Sequence, residues 1–217
     1  LSTISGQTLG FRGYVKTGLY SKITAEYHHL QEFRRGGDNL DLPPHEAMIA
    51  EQTDHGINTG GLKFDWFSKD QKHRMNAFAS IQHINRDSYY GAGMDPNAYG
   101  KTKDLTWVGG AQYIYKAGNC LFMPADLTVG LEYNEDYLRD NMSGYGRVTE
   151  QTVRIVSAYA QNEWKNNRWG ILIGGRLDKH NLIDGLIISP RANLRYNPTE
   201  NINLRASYSY GFHAPQA

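Results

Sequence analysis

Ile202-Asn203-Leu204-Arg205-Ala206-Ser207-Tyr208-Ser209-Tyr210-Gly211-Phe212 alternates without a break. Ile202, Leu204, Ala206, Tyr208, Tyr210 and Phe212 fall on one face of an extended chain, and Asn203, Arg205, Ser207, Ser209 and Gly211 on the other. Period two marks a strand with one apolar and one polar face. The pattern repeats upstream. Leu186, Ile188, Pro190, Ala192, Leu194 and Tyr196 oppose Ser189, Arg191, Asn193, Arg195 and Asn197. Trp169, Ile171, Ile173, Gly175 and Leu177 oppose Gly170, Leu172, Gly174, Arg176 and Asp178. Leu127, Val129, Leu131 and Tyr133 form a further set, as do Leu105, Trp107, Gly109, Ala111, Tyr113 and Tyr115. The segment around Met75, Ala77, Ala79 and Ile81 is less clean, because Phe78 and Ile84 fall on its polar face.

Turn residues set the strand lengths. Short connections are expected at Thr17-Gly18, 68–71, Asn166-Asn167 and 197–201, and a somewhat longer one at 116–124 (with Ala117-Gly118-Asn119). Longer polar connections are expected at 35–46, 91–103 and 140–149, with a shorter one near Asn181-Leu182-Ile183-Asp184. The segments between them number about ten, all antiparallel, and most run roughly a dozen residues or more, against about 5–6 for an ordinary soluble strand. The first tight connections recur about every 50 residues, which also fits a propeller. A blade needs four short strands per repeat, however, and this chain offers two long ones. Long alternating strands with short turns at one end and long loops at the other describe an all-β, antiparallel transmembrane β-barrel segment. Aromatics gather at strand ends: Phe64, Trp66 and Phe67 before one short turn, Tyr113 and Tyr115 before another, Trp164 and Trp169 around a third, Tyr196 before a fourth. An interfacial girdle accounts for that placement.

Composition removes several function classes. The 217 residues hold 23 Lys+Arg and 22 Asp+Glu, a net charge of +1 that makes no electrostatic case for nucleic acid. The one cysteine, Cys120, excludes a disulfide framework and a multi-cysteine zinc site. No apolar run approaches the ~18 residues of a spanning helix. There are 15 Tyr, 4 Trp, 7 Phe and 23 Gly, as suits many half-exposed strands. The chain opens LSTISGQT, without the basic and apolar regions of a signal peptide, and is read as an internal piece of a longer protein.

The ordered set Gly174-Gly175-Arg176-Leu177-Asp178, Ser189-Pro190-Arg191, Asn197-Pro198 and Leu204-Arg205-Ala206-Ser207-Tyr208-Ser209-Tyr210-Gly211-Phe212-His213-Ala214-Pro215 resembles the barrel of TonB-dependent outer-membrane receptors. His213 departs from the pattern, which usually has Arg or Lys there. Arg34-Arg35-Gly36-Gly37 and Asn134-Glu135-Asp136-Tyr137 resemble receptors of Bacteroidetes-type bacteria more loosely. The resemblance implies a plug domain inside a barrel of about 22 strands. Residues 1–217 then form a partial barrel domain, with the plug and the remaining strands absent from this chain. It further implies the outer membrane of a Gram-negative bacterium, TonB as energising partner through the plug, contact with lipid and lipopolysaccharide, and a small-molecule ligand such as an iron-siderophore or cobalamin-type metal chelate.

Catalysis finds no support. No G-x-S-x-G elbow is present, and Glu132 and Glu135 face opposite sides of a strand. Ligand contacts are expected in the long connections and the strand ends beside them. Arg34, Arg35 and His45 bring positive charge that suits anionic siderophores; lipopolysaccharide phosphates or Asp38 are equally good partners. Tyr89, Tyr90, Tyr99, Tyr137 and Tyr145 offer flat area with a polar tip, for ligand or for loop packing. Asp38 and Asp41 supply oxygens at a spacing that makes Ca²⁺ a candidate, without the regular calcium-loop pattern; no cofactor is otherwise required. Arg176, Arg191, Arg195 and Arg205, with Asp178, lie on polar faces and are expected to contact plug carboxylates or to pair among themselves. The alternatives to an energised importer are a passive porin, an adhesin-type barrel or, against the strand lengths, a soluble β-sandwich.

Overall fold

The computed structural model describes residues 2–212. His213 and the residues after it, the end of the resembling motif, lie outside the described residues. Ten strands follow in chain order: β1 (Ser2–Gly18), β2 (Ser21–Gly37), β3 (Ile49–Phe67), β4 (His73–Ala92), β5 (Tyr99–Cys120), β6 (Met123–Met142), β7 (Arg147–Lys165), β8 (Trp169–His180), β9 (Ile187–Thr199) and β10 (Ile202–Ser209). They form a single ten-stranded sheet in sequential order, and every adjacent pair is antiparallel. A meander of this kind places all odd-to-even connections at one end and all even-to-odd connections at the other. The expected division of the turns therefore holds.

Register assigns the faces, because directly opposed residues share one. One row runs Ala77, Ala111, Leu131, Ala158, Leu177 and Ile188 across six strands. The neighbouring polar row runs Asn76, Gln112, Gly130, Tyr159, Arg176 and Ser189. The apolar face packs against nothing: Leu131 is 65% exposed, Leu204 55%, and Leu127, Val129, Leu194, Ile202 and Trp107 are exposed as well. Among the described residues the buried apolar side chains are few, and four of them (Ala47, Ala50, Tyr89 and Ala98) form one small cluster. A sandwich would bury this face in a dry core. An exposed apolar face of this extent is what a transmembrane β-barrel turns toward lipid.

Two expectations about connections need correction. Residues 140–149 and 91–103 are mostly strand: β6 runs to Met142, β7 starts at Arg147, β4 runs to Ala92 and β5 starts at Tyr99. These stretches lose the apolar/polar alternation as they rise past the apolar band. On the outer face the band ends along one row, where Ile81 and Trp107 meet Glu135 and Arg154. Beyond it stand Lys103, Arg139 and Glu150, then Asp87, Lys101 and Asn141. The Ala117-Gly118-Asn119 turn is likewise displaced. The hairpin closes at Leu121 and Phe122, and Gly118 sits at a bulge with φ 63°. At the opposite limit of the band the aromatics meet in pairs: Trp169 stacks on Tyr196 at 4.2 Å, Phe122 on Trp164 at 5.5 Å and His73 on Tyr115 at 5.0 Å. Phe67 is the exception, lying on the polar face under Arg74 at 5.1 Å.

Candidate functional site

At the long-connection end, residues 38–48, 93–98 and 143–146 form one knot. Gly93 N–H donates to Met48 O at 2.7 Å, and Tyr145 hydroxyl donates to Tyr90 O at 2.9 Å. Gly144 is pressed against the second connection so closely that a Cβ there would lie 2.6 Å from Ala98 Cα. The tyrosines and His45 come together here. His45 Nδ1 and the Tyr99 hydroxyl share a 2.8 Å hydrogen bond, Tyr99 packs edge-on against Tyr89 at 4.9 Å, and Tyr89 donates to Asp95 O at 2.9 Å.

The expected ligand residues differ in face and burial. Tyr89 is 0% exposed, so it is core to the knot rather than a contact surface. Arg34 and Arg35 are neighbours in sequence and so project to opposite faces. Arg34 lies on the polar face opposite Thr53, with Nε donating to Glu32 at 2.7 Å. Arg35 lies opposite Gln52, is 3% exposed, and donates from Nη1 to Gly36 O at 3.1 Å. Tyr99 and Tyr137 also lie on the outer face, and Tyr137 donates to Glu150 at 3.1 Å. Of the expected loop contacts, Arg34 and Tyr90 stand on the polar face. Asp38 Oδ1 accepts Ile49 N–H at 3.0 Å and so closes its own loop. Among the described residues no three His, Cys, Asp or Glu gather into a metal-binding set around it or Asp41.

The polar face carries the larger constellation, and sequence reading missed its upper part. Arg86 donates from Nε and Nη2 to Thr102 Oγ1, Thr102 donates to Asp140 at 2.6 Å, and Arg147 Nη2 reaches the other Asp140 oxygen at 3.1 Å. With His55, Ile84 and Leu138 these residues line a cavity of about 590 Å³, within the usual size of small-molecule sites. Only cross-strand register brings Arg86, Thr102 and Asp140 into line, and no spacing within one strand announces it.

Lower on the same face the predicted arginines separate into two kinds. Arg176 is paired within the sheet: Nη2 reaches Glu132 at 2.8 Å and Ser157 at 2.7 Å, and Nε reaches Asp178 at 2.7 Å. Ser157 and Asp178 are each 2% exposed and share a 2.5 Å hydrogen bond. Tyr159 closes the cluster, donating to Gln112 at 2.8 Å and lying over Gly130, where a Cβ would meet its ring. Arg191, Arg195 and Arg205 differ. None has a carboxylate partner among the described residues. Arg195 opposes Arg205 directly, donates to Asn166 O at 3.0 Å, and buries Nε without a partner.

Comparison with known proteins matches this architecture. The profile of the family described as TonB dependent receptor-like, beta-barrel, covers residues 2–217. No curated protein sequence matches the chain. The siderophore receptor PirA from Pseudomonas aeruginosa superposes with a TM-score of 0.77 at 14% identity, over 98% of this chain and 34% of that one. PirA from Acinetobacter baumannii gives 0.75 at 16%, over 99% and 34%. The outer membrane transporter YddB from Escherichia coli gives 0.57 at 10%, over 96% and 38%. The chain thus spans about a third of the length of these structures. Its open, two-faced sheet of long strands is a segment of their kind of barrel, and the chain belongs to the TonB-dependent receptor β-barrel family.

Proposed function

We propose that this chain is part of the barrel wall of an energised importer in the outer membrane of a Gram-negative bacterium, taking up an iron-siderophore or cobalamin-type chelate. The carrying observation is the division of one sheet into a bare apolar face and an ion-rich face. The first suits acyl chains, with lipopolysaccharide above them. The second suits a lumen that holds charged groups. Ligand contacts on this reading come from the lumen side of the loop end: Arg34, Tyr90, His55, Arg86 and Arg147. TonB acts through a plug seated lower down, where Arg191, Arg195 and Arg205 have no carboxylate partner among the described residues.

Uptake by cells carrying the complete gene tests this. Deleting it is expected to abolish energised uptake of a ferric siderophore or of cobalamin, and depleting TonB is expected to do the same. Uptake that survives TonB depletion and follows the external concentration makes the protein a passive porin instead.

A further inference from the structure

The connection between β8 and β9 braces an otherwise bare stretch of wall, and a buried histidine holds the brace. β8 ends at His180, opposite Ile155, so residues 147–154 of β7 rise past it with a strand partner only on the β6 side. The connection covers the start of that free edge. Asn181 N–H donates to Arg154 O at 3.0 Å, its Oδ1 accepts Arg154 N–H at 2.8 Å, and its Nδ2 donates to Thr152 O at 2.8 Å. Lys179 Nζ donates to Ile183 O and Gly185 O, both at 3.2 Å. A further tie is the His180 ring, 0% exposed, whose Nδ1 accepts Leu182 N–H at 3.0 Å. A backbone N–H donates only to an unprotonated ring nitrogen, so this imidazole is neutral and carries its hydrogen on Nε2. Nε2 is buried and has no hydrogen-bond partner among the described residues.

Protonation conflicts with this arrangement at both nitrogens. A hydrogen on Nδ1 faces the Leu182 N–H donor to donor, and the hydrogen on Nε2 stays unpaired while the ring becomes a cation. A buried charge is not sustained without a partner. On the lumen face the charged groups nearest His180 in register are Asp178 on β8 and Glu132 and Asp136 on β6; β7 presents Val153 and Ile155 there, β9 presents Ile187, and the connection adds Asp184. Asp178 and Glu132 are bonded to Arg176, and Asp136 accepts from Thr106. An imidazolium therefore gains water or a carboxylate only by leaving its site, and leaving breaks the bond to Leu182. We propose that residues 181–186 form an acid-released brace on the loop end of β7, with His180 as its proton switch. The same stretch of β7 carries Thr149 and Arg147, which line the cavity of about 590 Å³, so release loosens one of its walls. That consequence for ligand capture rests on the importer reading; the brace itself does not.

The test is amide hydrogen exchange on the complete receptor in lipid vesicles, corrected for the intrinsic pH dependence of exchange, at about pH 7.5 and about pH 5.5, on either side of the ordinary imidazole range. Exchange at Leu182, Ile183 and Arg154 is expected to rise by about tenfold or more in acid. Asn166, whose N–H donates to Trp169 O in a turn at the other end of the sheet, is expected to stay unchanged. His180→Asn keeps an acceptor at the δ position and does not titrate, so its exchange is expected to be as slow in acid as at neutrality. The wild-type profile decides the proposal even where that variant does not insert. A flat profile, or a midpoint below about pH 5 of the kind carboxylates give, overturns the proposal, and so does acid release that persists in His180→Asn. Uptake of a ferric siderophore by cells carrying the same gene is a separate readout, so the brace can fail while the importer reading stands.

Discussion

Asp178 and Arg176 show how a charge persists inside this sheet. Asp178 is 2% exposed, and its Oδ1 accepts both from Ser157 and from Arg176 Nε. Replacing Arg176 with Leu leaves Asp178 with Ser157 alone and Glu132 without its guanidinium. An abandoned buried acceptor costs about 1–3 kcal/mol, and the 36% exposure of the Arg176 side chain moves the expected loss toward the lower end. Arg191→Leu abandons no carboxylate and is expected to cost less. Urea unfolding of the receptor from lipid vesicles compares them; equal midpoints for the two variants contradict the contrast. A second residue-scale prediction concerns the 68–72 turn. Asp70 accepts from the Ser68 hydroxyl at 2.5 Å and from Lys72 N–H at 3.1 Å, and these bonds, the hydroxyl first, hold its carboxyl below the usual range. A depressed carboxylate stabilises above its unfolded pKa and loses that contribution as pH falls through the folded one. The turn is therefore expected to loosen only in acid, below the ordinary carboxylate range, and Asp70→Asn is expected to remove that dependence. Amide exchange of 68–72 against pH measures both.

Strands are the level at which the sequence was most legible, and also where it misled. Alternation over 105–115, 127–133, 169–177 and 202–212 gave both faces and, through them, the register, because a slip of one residue sends every leucine into the lumen. The ends failed for a physical reason. Past the row of Glu135 and Arg154 the strands leave the apolar band, both faces meet water, and no period remains to read. Residues 140–149 therefore looked like loop while the backbone ladder continued through most of them. Grouping side chains into a candidate site meets the same difficulty. Arg34 and Arg35 read as a pair in one dimension and diverge on a pleat, while Arg86 and Asp140 lie far apart in sequence and are brought together by β5. The period makes a sharp prediction for adjacent residues of β5. Ala111 lies mid-band beside Leu131, and Gln112 lies in the lumen row with Tyr159 and Arg176. Ala111→Arg is expected to destabilise the membrane-inserted state by about 2–4 kcal/mol, whereas Gln112→Arg, close to Glu132, is expected to be far milder. Equal losses in vesicle unfolding contradict the assigned faces.

At the scale of the whole molecule, the lumen face is neutralised unevenly. Arg176 has Glu132 and Asp178, Lys165 has Asp126 and Glu163, and Asp140 has Arg86 and Arg147. Ion pairing within the sheet is therefore extensive, and one group of exceptions lies on β9 and β10. Arg191, Arg195 and Arg205 occupy the lumen side of β9 and β10 with no acidic partner among the described residues, and two of them are directly opposed. Such an arrangement is costly in isolation, and a carboxylate supplied from within the lumen removes the cost. If a plug seats there, loss of the row loosens the plug and leaves insertion intact, because none of the three faces lipid. Arg191→Gln, Arg195→Gln and Arg205→Gln, combined in the complete receptor, are therefore expected to raise leakage of a large antibiotic through the outer membrane at normal surface levels. Arg176→Gln, whose partners lie in the sheet itself, is expected to raise it less. Unchanged permeability in the triple variant means that the row is neutralised by a neighbouring strand or by water, and the seat then lies elsewhere on the wall.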